Sequence, residues 1–276
     1  MQAVDYNQPT MIGISVCCNP TPLSFYVHTR DGDLPPYSSG PDSSTWTYVP
    51  LAKGELINAI WMRCRRYMDR EAALVLETTR KRCIFLGAQA IRCPEPLQWR
   101  HVATPRGKPA SFYFDLHQLG ARELVFKGPV VARPRPTISP SPLSPYPKST
   151  QFEAFMWSSA ALDGVISLRQ CHRQRSHSLN MVSGLELQYE DGSMTTVGEV
   201  RLDSLGDQTN ISSSCVWLGF LATHEGYPYI TAIEAAHPTQ NEVTWFQVPL
   251  TGRLEWWYSS QQCQVWHEGR ASMPIM

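Results

Sequence analysis

The chain carries almost no signature of catalysis, membrane insertion or metal binding. It has no nucleophile elbow, P-loop, dinucleotide fingerprint or zincin helix. No stretch approaches the roughly 20 apolar residues that a membrane helix needs, so no membrane partner is expected. Met1 to Asn19 lacks a basic region followed by an apolar core, so it does not read as a signal peptide. The eight cysteines include no C-x-x-C pair, and these features together predict free thiols, no metal and a cytoplasmic protein. Charge of either sign is also scarce. Charged residues make up 17% of the chain, against about 25% in ordinary globular proteins. The formal net charge is +0, which gives no general pull toward nucleic acid. No cofactor is expected.

Proline, polar neutral residues and aromatics fill the space that charge leaves. That composition favours strands and turns over helices. The chain is long enough for two ordinary domains or one large all-β domain. One stretch occurs twice without a gap: Tyr113–Phe126 lines up on Trp245–Tyr258. Both copies read aromatic-aromatic, then polar-apolar, then Gly-x-x-Glu, then two apolar residues and an aromatic. Upstream, Gly54 and Gly87 correspond to Gly164 and Gly198. A repeat of this kind means one structural unit used twice. The predicted organisation is a first repeat over 10–127, a proline-rich linker over 128–150 and a second repeat over 151–268.

The linker holds seven prolines from Pro129 to Pro147, and proline gives no donor to a ladder or a helix. It reads as exposed and extended. Pro142-Leu143-Ser144-Pro145 fits P-x-x-P, so a scaffold that offers this segment to a partner is one functional class. Strands are legible elsewhere. Gly184–Tyr189 alternates and then turns at Asp191-Gly192, a hairpin signal. Gly54–Thr79 has helical spacing at Leu56, Ile57, Ile60, Trp61 and Cys64. Its counterpart in the second copy is too rich in β-branched residues, serine and glycine for one helix. Two strands joined by a basic loop are therefore expected in both copies.

Leu51-Ala52-Lys53-Gly54-Glu55-Leu56-Ile57, the run Leu74–Thr79 and the closing Gly87 resemble the jacalin-like β-prism lectins. Val182–Tyr189 with Asp191-Gly192 and Gly198 looks like the same strand-turn-strand. Phrases such as Tyr189-Glu190-Asp191-Gly192 and Gly252–Trp257 are also similar to uncharacterised intracellular proteins of filamentous fungi. The lectin resemblance implies an all-β chain of two tandem β-prism-like halves built from Greek-key sheets. It implies sugar binding only through a Gly-x-x-x-Asp loop. Here the nearest matches are Gly120-x-x-Glu123 and Gly252-x-x-Glu255, one residue shorter and with the other acid.

Three groups of residues are candidates for chemistry. The first is the aromatic concentration of the second copy: Trp245, Trp256, Trp257 and Tyr258, with Glu255 as a polar contact and His237 as a possible acid or base. Such rings pack on sugar faces or polycyclic ligands. The longer span from Gly198 to Gly252, around Leu202–Tyr229, is expected to form a lid or wall. The second group is a pair of basic loops, Arg63, Arg65, Arg66 and Arg70 against Arg169, His172, Arg173, Arg175 and His177. These read either as anion sites or as solvated turns. The third is a set of acids and bases, Glu255, His237, Glu123 and His117, which would serve a cofactor-independent cyclase or isomerase of fungal specialised metabolism. The leading expectation is a lectin-like binding protein for a carbohydrate or hydrophobic small molecule, with the enzyme as the alternative.

Overall fold

The computed structural model describes residues 2–19, 22–35, 37, 44–65, 68–89, 98–114, 124–126, 141–148, 153–176, 179–240 and 242–272. The described chain is all-β, with antiparallel sheets and no α-helix. It falls into two compact units, Met1–Pro142 with Ala154–Met156, and Leu143–Glu153 with Trp157–Met276.

Among the described residues the first unit has ten strands: β1 (Gln2–Tyr6), β2 (Met11–Cys18), β3 (Pro22–Thr29), β4 (Thr45–Pro50), β5 (Ile57–Arg65), β6 (Met68–Thr78), β7 (Cys83–Leu86), β8 (Gln98–Ala103), β9 (Ala110–Phe114) and β10 (Leu124–Phe126). They make three sheets, ordered β1-β9-β10, β3-β2-β4 and β7-β6-β5-β8. Alternation sends Ile14 and Val16 of β2, Ile60 and Met62 of β5, and Phe112 and Phe114 of β9 into one core. Phe25 sits edge-on to Phe112 at 5.0 Å and to Phe114 at 5.3 Å, which ties β3 to β9. Asn7 closes the unit. It adopts φ 59, where asparagine is tolerated. Its side chain takes the place of a ladder partner: Oδ1 accepts from Ile57 N at 2.7 Å, and Nδ2 donates to Ile57 O at 2.8 Å and Lys108 O at 3.1 Å.

Among the described residues the second unit has eleven strands: β11 (Met156–Ala161), β12 (Val165–Ser176), β13 (Leu179–Tyr189), β14 (Met194–Gly198), β15 (Leu205–Asn210), β16 (Cys215–Ala222), β17 (Pro228–Glu234), β18 (Thr244–Pro249), β19 (Arg253–Tyr258), β20 (Cys263–His267) and β21 (Arg270–Ala271). One sheet runs β11-β19-β20-β21. A larger one runs β15-β12-β13-β17-β16-β18, with β14 also on β13.

The segment with helical spacing is two strands, as its counterpart required. β5 and β6 pair from Ile57↔Thr78 to Arg65↔Met68, and β12 and β13 pair from Val165↔Tyr189 to Ser176↔Leu179. Both hairpins carry a bulge directly after their first pair, between Ile57 and Ala59 and between Val165 and Ser167. The first is flanked by β7 and β8, and the second by β15 on one side and by both β14 and β17 on the other. The matched glycines have a reason to match. Gly87 and Gly198 have φ 116 and 77, and a Cβ on either would lie against the neighbouring strand, 3.2 Å from Ala73 Cβ or 2.5 Å from Ser183 O. Glu55 of the Leu51–Ile57 run also has a place in the fold. Its carboxylate accepts from Ala52 N at 3.0 Å and Thr78 Oγ1 at 2.6 Å, and pairs with Arg82 at 3.0 Å. It therefore fastens the entry turn to the end of the hairpin.

The ungapped repeat does not keep its pairing. β9 and β10 pair with each other, at Phe114↔Leu124 and Phe112↔Phe126. Their sequence counterparts β18 and β19 lie in different sheets. An aromatic-rich strand next to a turn satisfies either environment, so similar residues serve two pairings. The longer span of the second copy, expected as a lid or wall, is mostly strand. After a single 3-10 turn at Leu202–Ser204 it is the strands β15, β16 and β17 of the large sheet.

Candidate functional site

The aromatic residues expected to form one site fall into two places. The first is a shelf on the outer face of β16, β17 and β18. In β16 the side chains of Val216, Leu218 and Phe220 are buried, so Cys215, Trp217 and Gly219 face the other way. In β18, Phe246 and Val248 are buried, and Trp245 and Gln247 face outward. The register sets Trp217 opposite Gln247 and Gly219 opposite Trp245. Trp217 and Trp245 are therefore diagonal neighbours on one face, a separation of about 7–8 Å between such positions.

Gly219 is what allows the shelf. A Cβ there would come within 2.7 Å of Val243 Cγ1 and 2.9 Å of Trp245 Cζ3, so the indole of Trp245 lies across the strand where a side chain would otherwise stand. Its Nε1 donates to Gln240 O at 3.1 Å, which fixes the ring. The ring of Trp217 meets that of His237 edge-on, with centroids 4.7 Å apart. Both tryptophans are half-buried and His237 is exposed. Gln247 and Glu234 put polar groups beside the rings. Gln247 Nε2 reaches Cys215 Sγ at 3.4 Å, and Glu234 pairs with Trp217 across β17 and is exposed. Trp245 and His237 were legible as candidates; Trp217 was missed, although the alternation of Val216, Leu218 and Phe220 marks it as outward-facing.

The second place is β19, whose residues from Leu254 to Tyr258 are all buried. Trp256 and Trp257 point to opposite faces, and both faces are covered: the two rings are 0% and 3% exposed. Trp256 packs against Gly198, where a Cβ would lie 3.0 Å from its ring. Trp257 and Glu255 hold the end of the proline-rich segment. Both carboxylate oxygens of Glu255 are used: Oε1 accepts from Leu143 N at 2.9 Å, and Oε2 accepts from Ser144 N at 2.9 Å and from the Ser144 hydroxyl. Arg253 Nε stands 3.4 Å from Oε1. Trp257 Nε1 donates to Ser144 Oγ at 2.7 Å, and Tyr146 packs edge-on to Trp257 at 5.3 Å. Residues 141–148 are irregular, as proline dictates, but they are not all exposed. Ser144 and Pro147 are buried while Leu143 is 75% exposed. From Leu143 onward the stretch is a docked strap of the second unit and not a free spacer; the linker residues 128–140 and 149–150 lie outside the described residues.

The described arginines of the basic loops are engaged within the fold. Arg63 is buried, donating to Gln89 Oε1 at 2.8 Å and Ala88 O at 3.1 Å, with its guanidinium 4.4 Å above the ring of Phe85. Arg169 pairs with Glu186 at 3.3 Å, and Arg173 with Glu199 at 2.7 Å. Burial raises the carboxyl pKa of Glu186, and Arg169 opposes that shift. The side chains of Arg65, Arg66, Arg70, Arg175 and His177 lie outside the described residues, as do Glu123 and His117.

The first unit holds a cluster that sequence reasoning missed. Ser15 Oγ and His28 Nε2 are 2.7 Å apart, and Tyr37 Oη is 3.3 Å from Ser15 Oγ. The rings of Tyr26 and Tyr48 pack on His28 at 5.0 and 5.2 Å. Burial lowers the imidazole pKa to about 4, so His28 is neutral at pH 7. Nothing in the sequence flags residues from three strands as neighbours.

No protein-family model matches the chain, and no curated protein matches it.

Proposed function

We propose that the chain is a lectin-like binding protein and that the aromatic shelf of the second unit is its ligand site, for a sugar or a flat hydrophobic small molecule. The observation that carries this reading is the pair of half-buried tryptophans on one face of the sheet, Trp245 with its ring across Gly219 and Trp217 diagonal to it in the register. An indole face gives a large contact area at little conformational cost, since it has few rotatable bonds to fix. Gln247, Glu234 and His237 supply hydrogen-bonding groups at the rim, which is what orients a hydroxylated ligand. Strand-borne side chains hold such a geometry better than loop-borne ones.

The β-prism architecture is part of the same proposal. The three separate sheets of the first unit support it. So does the pairing of an early strand with a late one in each unit, β1 with β9 and β11 with β19. The sugar would not be held in the family's own mode, because Glu255 is committed to the strap. The test is a glycan array together with a panel of aromatic and polycyclic small molecules, read by quenching of tryptophan emission. Trp217→Ala and Trp245→Ala should each weaken binding at least tenfold, the outcome expected when about 1.4 kcal/mol or more of stacking is lost. Binding that survives both substitutions would refute the shelf as the site.

A further inference from the structure

The strap carries an inference independent of the ligand reading. We propose that Ser144 is a phosphorylation site and that a phosphate on it opens the strap. Two observations converge. Ser144 is followed by Pro145, and two more Ser-Pro dipeptides, Ser139-Pro140 and Ser141-Pro142, stand directly before it in the sequence. Ser-Pro in an irregular segment is the substrate chemistry of a proline-directed protein kinase. The latch of the strap, moreover, centres on this residue. Its hydroxyl donates to Glu255 Oε2 and accepts from Trp257 Nε1 at 2.7 Å, while the amides of Leu143 and Ser144 both donate to the same carboxylate.

The docked site is built for a neutral hydroxyl and is hostile to a phosphate. Glu255 is 1% exposed, and both of its oxygens face the strap. A phosphoserine would put nearly two negative charges against that carboxylate, with like-charge repulsion and desolvation acting together. Arg253 stands beside Glu255, but it is already shared between Glu255 and the Ser159 hydroxyl at 2.9 Å. Ser144 itself is 8% exposed when docked, so the kinase acts on the open strap and phosphate prevents its return. In the reaction Ser144 Oγ bonds to the γ-phosphorus of ATP as the bond to the bridging oxygen breaks. The hydroxyl proton passes to the kinase's base and ADP leaves. Opening bares Trp257 and the Glu255 carboxylate, an aromatic surface with one acid at its centre.

The experiment treats the folded full chain with a proline-directed kinase and ATP, maps phosphate by peptide mass, and follows amide hydrogen exchange over residues 141–148. A synthetic peptide of residues 139–150 serves as the substrate control. The expected result is phosphate on Ser144, absent in Ser144→Ala, with exchange at the Leu143 and Ser144 amides at least tenfold faster. Glu255→Gln, which weakens the latch without adding phosphate, should speed modification of Ser144 by tenfold or more. The proposal is overturned if Ser144 stays unmodified in the folded protein while the peptide is modified, or if phosphate leaves the amide exchange unchanged.

Discussion

Replacing Glu255 by glutamine is the sharpest probe of the second unit, because it changes one atom and almost no volume. The carboxylate meets only donors: two backbone amides and a hydroxyl of the strap, and Arg253. Glutamine keeps one acceptor and turns the other into an NH2 group. Whichever way the amide faces, it sets donor against donor. If the oxygen faces Ser144, the Leu143 amide loses its partner; if it faces Leu143, both Ser144 groups lose theirs. Losing a hydrogen bond to a charged acceptor costs about 1.5–3 kcal/mol, and a buried donor left unpaired costs about 1–3 kcal/mol. Leu143 is largely exposed, so water rescues part of that loss, and Arg253 is 35% exposed, so its share is screened. A net cost of about 2–3 kcal/mol follows. For a unit of this size that lowers Tm by about 6–10 °C. Thermal unfolding monitored by near-ultraviolet circular dichroism reads the shift, and hydrogen exchange reads the strap. A Tm within about 2 °C of the parent with unchanged exchange at Leu143 and Ser144 would mean that the carboxylate does not hold the strap.

Four further outcomes are expected. His28 is protonated near pH 6.5 when unfolded but only near pH 4 when folded, so the unfolded state binds more protons between these values. Stability of the first unit should therefore fall as pH drops from about 6.5 through 4, by up to about 3 kcal/mol, and His28→Gln should flatten that slope in denaturant titrations across pH. Asn7→Ala removes three hydrogen bonds around Ile57 and leaves buried backbone groups unpaired; urea unfolding should show a loss of about 2–4 kcal/mol, and a loss under 1 would refute the clamp. Gly219→Val should cost ligand binding before it costs the fold, because the new side chain displaces the Trp245 ring; unchanged tryptophan emission would count against this geometry. Among the described thiols, burial pushes Cys171 to about 11 and Cys263 to about 12, whereas Cys215 is half-exposed, so residue-by-residue mapping of native thiol labelling should find Cys215 reacting first.

The sequence revealed strands better than it revealed partners. Leu56–Cys64 has helical spacing, yet Ile57–Arg65 is the strand β5, and only comparison with the second copy predicted that. The reason is physical: a strand buried on both faces loses the two-residue alternation, and Ala59 and Trp61 are as buried as Ile60 and Met62. The same effect hid the fate of Trp256 and Trp257. Adjacent aromatics on a strand imply that one is exposed unless both faces are covered, and in β19 both are. Strand β16 kept its alternation, so Trp217 was readable as outward-facing from Val216, Leu218 and Phe220 alone.

Proline composition correctly forbade ladder bonding in the strap but said nothing of docking. Docking here runs through side-chain and amide bonds to a residue more than a hundred positions away, and no local signal reports such a partner. Ser15 and His28 escaped for the same reason, being joined only once β2 and β3 pair. What separates the two aromatic groups of the second unit is therefore the number of covered faces. Where both faces are covered, tryptophan fills a core and an acid latches a strap. Where one face is left partly open, Trp217 and Trp245 are half-buried on it, and under the proposed reading binding lost on Trp217→Ala but kept on Tyr146→Ala would locate the ligand site on that face.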